Sequence, residues 1–258
     1  MTDSPVSKAL AVLRTLAEKE NVGVSVIAKA TSLNVSTVHR LLQQMTDDNM
    51  VAYDPHLRTY SIGTAAVRFA TQVLASGSPI GRVRPIIVTL ANELAETCAF
   101  TIYEPKTFSK IVTIVEHGPQ PLGYAFEIGS RDGIHAGASG TPIAAFLPDD
   151  EIEKMLQLPL ERLTEFTIVD PDALRRKFRL IRKNGYAMSR GERIPGAGVG
   201  IGAPVFNRYG RVIGSVVVTI PAFRWKKERL PKVVKLVRQA AEKASAVGDP
   251  SLSRGIQS

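Results

Sequence analysis

The sequence predicts an α+β chain, a winged helix-turn-helix followed by a larger domain of strands and helices. Three features carry this: three short amphipathic segments in succession, two β-prone runs around a turn directly after them, and later strand-sized apolar runs alternating with helical ones. A length of 258 residues suits two ordinary domains, and 44% hydrophobic content supports packed cores.

The first segment, "SKALAVLRTLAEKE", sets Leu10, Leu13 and Ala17 at helical spacing, widened by Val12 and Leu16, and ends near Gly23. The second, "VSVIAKATS", repeats the pattern with Val26, Ile27 and Ala30. After Leu33 and Asn34, which suit a helix cap, "NVSTVHRLLQQM" commits Val38, Leu41, Leu42 and Met45 to a core at i, i+3, i+4 and i+7. "MVAY" and "TYSI" then flank "DPHLR", where Asp54 and Pro55 supply turn chemistry.

The outward face of the third helix carries Ser36, Thr37, His39, Arg40, Gln43 and Gln44, all hydrogen-bond donors and none acidic. Such a face suits a DNA major groove, where Arg pairs with guanine O6 and N7 and Gln with adenine N6 and N7. Ser36 and Thr37, at the positive end of the helix, suit phosphates or capping. His39 and Arg40 are the candidates for base edges, and Arg58 in the wing for a backbone phosphate. The rival reading is a face that is merely solvated; the helix before it and the wing after it favour DNA.

Net charge does not decide the matter. Of the formal +9, residues 1–76 hold only one, seven bases against six acids; the other eight lie beyond. Part of them sits in "DALRRKFRLIRKNG", where Leu174, Phe178 and Ile181 define a buried side and six bases cover the rest, ordinarily a solvated face. The single cysteine, Cys98, excludes an internal disulfide or a multi-cysteine zinc site and fits a core thiol in the strand "CAFTIY". No apolar run is long enough to span a membrane, and the first residues lack the pattern of a secretory signal, so a cytoplasmic protein is expected.

Enzyme-like motifs fail on context. "GVGIGA", Gly198 to Ala203, matches a dinucleotide fingerprint but runs into Pro204 and a hairpin rather than a helix. "GASGTP", Gly137 to Pro142, lacks the Gly-Lys of a phosphate loop and the last glycine of a nucleophile elbow. The histidines, at 39, 56, 117 and 135, show no ligand spacing, so neither a metal nor a cofactor is assigned. "GASGTPIAAFL" does offer a helix start in which Ser139 can cap the helix begun by Gly140, Thr141 and Pro142, and a free helix N-terminus attracts a carboxylate.

Together, "SKALAVLRTLAE", "VSVIAKATSLNVSTVHRLLQQMTDDNMVAYDPHLRTYSIG", "GIHAGASGTPIAAFL" and the block from "GYAMSRGE" to "IGAPVFNRYGRVIGSVVVTIP" resemble the isocitrate lyase regulator (IclR) family of bacterial transcription regulators. The resemblance runs from about Ser7 to about Ala246. It implies a winged helix over residues 1–63, a linker helix over 64–78 with Val67, Ala70 and Leu74 on one side, and a profilin-like or GAF-like effector domain over 79–247. Residues 248–258, "GDPSLSRGIQS", a mostly polar stretch, are expected to be a disordered tail. The resemblance also implies homodimers, often paired into tetramers, on palindromic double-stranded operators.

Carried over by residue, the family's effector pocket falls on Tyr124, Ala138, Ser139, Arg190, Gly200, Val217 and Thr219. Arg190 stands where an acidic group is usual, and Val217 replaces a hydroxyl, which points to a larger, partly apolar anion, an aromatic or medium-chain organic acid. Thr141 replaces the usual lysine, so unchanged loop chemistry is not assured. Glu192 offers Arg190 or Arg193 a partner that would leave no cation for a ligand. The expectation is a regulator, not an enzyme. A metabolic enzyme fused to a nucleic-acid module and a ligand-independent architectural DNA binder are the alternatives.

Overall fold

The computed structural model describes residues 4–75, 77–120, 123, 126–196 and 198–247; the tail 248–258 and Tyr124 lie outside them. The chain divides into two compact units, Met1–Ala75 and Ser76–Ser258.

The first unit runs α1 (Pro5–Glu18), α2 (Val24–Thr31), α3 (Val35–Asp47), β1 (Val51–Asp54), β2 (Thr59–Ile62) and α4 (Thr64–Leu74). Its core gathers Val12, Leu16, Ile27, Val38, Leu41, Leu42 and Val51. The α3 stripe is buried as its spacing predicts. The stripes of α1 and α2 are rotated from their predicted positions. Leu10 and Val26 are 46% and 49% exposed, whereas Val12, Thr15 and Leu16, then Ile27, Ala28 and Thr31, turn inward. Both threonines tolerate burial because each hydroxyl donates to a carbonyl one turn back, Ala11 O at 3.1 Å and Ile27 O at 2.8 Å. Hydropathy alone does not register that compensation.

β1 and β2 pair antiparallel from Val51↔Ile62 to Asp54↔Thr59, and Val22 adds a bridge to Tyr60. The wing tip is built by Asp54, whose Oδ1 accepts from His56 N at 2.8 Å and Leu57 N at 3.0 Å, while Arg58 turns the chain at φ +53°. Helix α4 buries no residue; Val67 and Leu74 of the predicted stripe are 56% and 47% exposed.

The second unit is a six-stranded antiparallel sheet between two helical layers. Its elements are α5 (Pro79–Leu94), β3 (Thr97–Glu104), β4 (Ser109–Glu116), β5 (Arg131–Gly133), α6 (Gly137–Ala145), α7 (Asp149–Leu156), α8 (Pro171–Asn184), β6 (Ala187–Arg190), β7 (Val199–Phe206), β8 (Val212–Ile220) and α9 (Leu230–Val247). Strand order is β5-β4-β3-β8-β7-β6. The period of two sorts each strand between layers. Cys98, Phe100, Ile201, Val216 and Val218 pack with α5 and α9, while Ala99 and Val217 face Ala138 of α6. Beyond α6, a further cluster joins Ile143, Met155, Leu174 and Phe178 from α6, α7 and α8.

All nine residues of α6 are buried. It lies directly on β7 because of two glycines: a Cβ on Gly202 would meet Ala138 O at 2.0 Å, and one on Gly200 would meet Ala138 Cβ at 2.9 Å. The "GVGIGA" run is thus a strand made thin for a helix.

Candidate functional site

On α3 the polar residues form one surface. At 100° per residue, Ser36, Arg40 and Gln43 fall within about 60° of one another, with His39 to one side and Thr37 and Gln44 to the other. Ser36, His39, Arg40, Gln43 and Gln44 are exposed and Thr37 is half-buried. Asn34 precedes the helix without a side-chain cap, so the first-turn N–H groups beside Ser36 and Thr37 are not capped from there. Gln43 is tied weakly to Asp47 at 3.4 Å. Arg58 is exposed on the wing, in the same unit.

In the second unit, Ala138, Ser139, Gly200, Val217 and Thr219 line one cavity of about 40 Å³, together with Phe126, Ser189, Glu192, Arg193 and Ile194. That is room for a few waters. Arg190 does not line it. Strand alternation is the reason: Ser189 Oγ accepts from Ala138 N at 3.0 Å on the α6 side of β6, so its neighbour points to the other face, and Arg190 is exposed. Tyr124 lies outside the described residues.

Ser139 does not cap the helix. Helix α6 begins at Gly137, three residues earlier than the small-residue run suggested, and Ala136 at its N-cap has no side-chain acceptor to offer. Glu192 takes the role, its Oε2 accepting from Gly137 N at 3.0 Å. Lys177 of α8 holds the same carboxylate at 2.6 and 2.7 Å, and both side chains are nearly buried. Glu192 therefore pairs with neither arginine proposed for it, and the positive end of α6 is already neutralised from within.

The cation at the cavity is Arg193. Its chain crosses Gly137, its Nη2 lies 2.5 Å from Asp132 Oδ1, and its Nη1 is buried with no hydrogen-bond partner among the described residues. Behind it, Lys110 is 1% exposed and donates to Asp132 Oδ2 at 2.9 Å. Burial, then the charge of Arg193, pushes the Lys110 ammonium down to about 8 against the pull of Asp132. For Asp132, burial pushes upward, but Lys110 and Arg193 together outweigh it and hold the carboxyl below its usual range. Sequence reasoning missed Ser189, Arg193 and the Lys177–Glu192 pair. Only Ser189 had a signal, the alternation of β6.

The chain matches the family model described as the bacterial transcriptional regulator IclR C-terminal domain over residues 71–246, and that of the IclR helix-turn-helix domain over residues 5–55. It is 27% identical to the HTH-type transcriptional regulator BhcR of Paracoccus denitrificans, covering 93% of this chain and 85% of that one. It is 26% identical to the regulator KdgR of Escherichia coli, covering 94% and 92%. These relatives are named as transcriptional regulators, not enzymes. Among solved structures, an IclR transcriptional regulator from Alicyclobacillus acidocaldarius superposes with a TM-score of 0.87 at 22% identity, over 95% of this chain and 98% of that one. An IclR homolog from Microbacterium hydrocarbonoxydans, complexed with 4-hydroxybenzoate, does so at 0.79 and 20% identity, over 95% and 99%. With both family models matched in order and the fold shared along nearly its whole length, the chain belongs to the IclR family of bacterial transcriptional regulators.

Proposed function

We propose that this regulator acts in the cytoplasm, where it binds a palindromic double-stranded operator through Ser36, Thr37, His39, Arg40, Gln43, Gln44 and Arg58. We propose further that a small organic acid bound by the second unit controls that binding. Homodimers or pairs of dimers match a two-fold operator. The carrying observation is the exposed polar surface of α3, without an acid from Ser36 to Gln44, in the same unit as the exposed Arg58 of the wing.

The effector reading rests on the cavity at the start of α6. Ala138, Gly200 and Val217 supply close apolar walls, Ser139 and Thr219 hydroxyls, and Arg193, rather than Arg190, the cation for a carboxylate. An aromatic or medium-chain acid requires those walls to part, since about 40 Å³ does not hold a ring. The reading is supported by a neighbour of the same fold, the homolog from Microbacterium hydrocarbonoxydans, which is complexed with 4-hydroxybenzoate.

Calorimetry with 4-hydroxybenzoate, with and without operator DNA, tests this. Arg193→Ala should weaken the acid by about 1.5–3 kcal/mol, the range for a hydrogen bond to a charged group, with Arg190→Ala close to neutral. Operator must shift the acid's affinity by the same factor as the acid shifts the operator's. Equal binding in both variants removes the anion anchor; an affinity indifferent to operator removes the switch and favours the architectural reading.

A further inference from the structure

Asp132 serves two cations at once. Its Oδ1 lies 2.5 Å from Arg193 Nη2, and its Oδ2 accepts from Lys110 Nζ at 2.9 Å. The two contacts differ in what holds them. Lys110 stands directly opposite Asp132 in the β4–β5 register, and strand alternation sets it with Val112 on the face of the sheet that α6 covers. It is buried there and fixed by its strand. Arg193 instead reaches Asp132 from the loop after β6, across the start of α6, where a Cβ on Gly137 would meet its Cδ at 2.5 Å. It also lines the cavity of about 40 Å³.

Admitting an organic acid to that cavity therefore means moving Arg193, and moving Arg193 parts it from Asp132. A largely buried carboxylate without a counter-charge is strongly unfavourable, but Lys110 stays in place. Lys110 feels burial first and then the charges of Arg193 and Asp132. Around them, α6 carries no charge, Glu192 is held by Lys177, and His135 Nε2 lies 2.9 Å from Glu161 O. Tyr103, opposite Lys110 on β3, is a phenol pushed upward by burial, then by Glu151, and stays neutral; Glu104 and Arg131, on the other face, pair with each other.

We propose that Asp132 is an internal stand-in for the effector's carboxylate on Arg193, and that Lys110 is the positioning residue that permits the exchange: the acid takes Arg193, and Asp132 remains on Lys110. This exchange rests on the organic-acid reading of the cavity. It also moves a proton. With Arg193 beside Asp132, its charge adds to burial in holding the Lys110 ammonium down to about 8. Once Arg193 is drawn to the acid, that repulsion is relieved and the value rises. Above pH 8 the acid should thus bind together with a proton, and its affinity should fall as pH rises through that value.

Calorimetry of benzoate, which has no phenol to titrate, on the full chain in buffers of different ionisation enthalpy tests it. The wild type should take up protons on binding at pH 9 but not at pH 7, and bind roughly three- to tenfold more weakly at pH 9. Lys110→Met should bind roughly ten- to a hundredfold more weakly than wild type at pH 7, without proton uptake at pH 9. Lys110→Met/Asp132→Asn, which removes both charges and leaves Arg193 unoccupied, should bind roughly tenfold more tightly than wild type at either pH. Restoration by the second substitution separates the exchange from a folding defect. Benzoate that Arg193→Ala weakens, yet that binds without proton uptake and equally well to Lys110→Met, overturns the exchange and leaves the anchor standing. Benzoate bound as well by Arg193→Ala as by wild type, or by neither wild type nor the double variant, overturns both.

Discussion

Helix α3 and helix α8 each bury one apolar stripe, Val38, Leu41, Leu42 and Met45 in the first and Leu174, Phe178 and Ile181 in the second, and turn polar residues outward. On α8 several cations are engaged inside their own unit. Arg175 reaches Glu153 and Asp172, Lys177 reaches Glu192, and Arg182 binds Asp149 and the carbonyls of Ala145 and Leu147. On α3, His39 and Arg40 have no hydrogen-bond or ion-pair partner among the described residues, and both are exposed. Three of the six α8 cations therefore brace their own unit, whereas neither His39 nor Arg40 braces the unit of α3. What separates Arg175, Lys177 and Arg182 from Arg40 is a carboxylate within reach; Arg176, Arg179 and Lys183, on the outer face of α8, resemble Arg40 in having none among the described residues.

The contrast is broken most severely at Glu192. Replacing it with Ala leaves Lys177 nearly buried without its counter-charge and Gly137 N without its acceptor, which should cost about 3–5 kcal/mol, read from urea denaturation. If α8 were merely a solvated face, the loss would stay within the surface range of about 0.5 kcal/mol.

A buried cation off either helix sharpens the point. Lys110 has a folded value of about 8 against an ordinary 10.5, so the native state gives up its proton first and the unfolded chain binds more protons between those values. Stability owed to this group should rise with pH across that window, by on the order of 3 kcal/mol. Urea melts of wild type and Lys110→Met at pH 8 and pH 10.5 check it: the difference between them should grow in favour of wild type. A constant difference would mean that Lys110 keeps its ordinary titration.

On α3 the effect moves from stability to recognition. Arg40→Ala should cost about 1–3 kcal/mol on the operator and little on a scrambled duplex, whereas Arg58→Ala should weaken both alike and reduce the salt slope by about one. Fluorescence anisotropy at several salt concentrations separates the two. Equal losses on both duplexes for Arg40→Ala would reduce it to a phosphate contact.

The smallest effect belongs to the outer face of α8. Arg176, Arg179 and Lys183 changed together to Ala should shift stability by no more than about 0.5 kcal/mol each and leave operator affinity unchanged. A marked loss of DNA binding would restore the reading of α8 as a nucleic-acid surface.

The winged helix was legible because its determinants are local. The α3 stripe at i, i+3, i+4 and i+7 and Asp54 before Pro55 each act over a few residues, and helix, strands and turn stand where they point. Thr15 and Thr31 were the local exception, polar residues whose hydrogen bonds let them replace Leu10 and Val26 in the core. In the second unit the site depends on partners far apart in sequence. Glu192 acts on Gly137 and Lys177, and Lys110 meets Asp132 and Arg193. No periodicity encodes such pairings. Arg190 shows what resemblance leaves out: neighbours in a strand face opposite layers, so Ser189 lines the cavity and Arg190 does not.

Helix α6 has no exposed residue and is gripped at both ends, by Glu192 and Ser189 at the start and by Arg182 on the Ala145 and Leu147 carbonyls at the finish. A close-packed rod of this kind, about 13 Å long, has little slack. Pushing on Gly137 does not compress it. Were Gly137 displaced, a rod without slack would carry the movement to Phe146 and to the Arg182 contacts that tie α6 to α8. In mechanical terms α6 is a rod clamped at both ends, and its stiffness is what ties the Glu192 contact at Gly137 to the Arg182 contacts at Ala145 and Leu147.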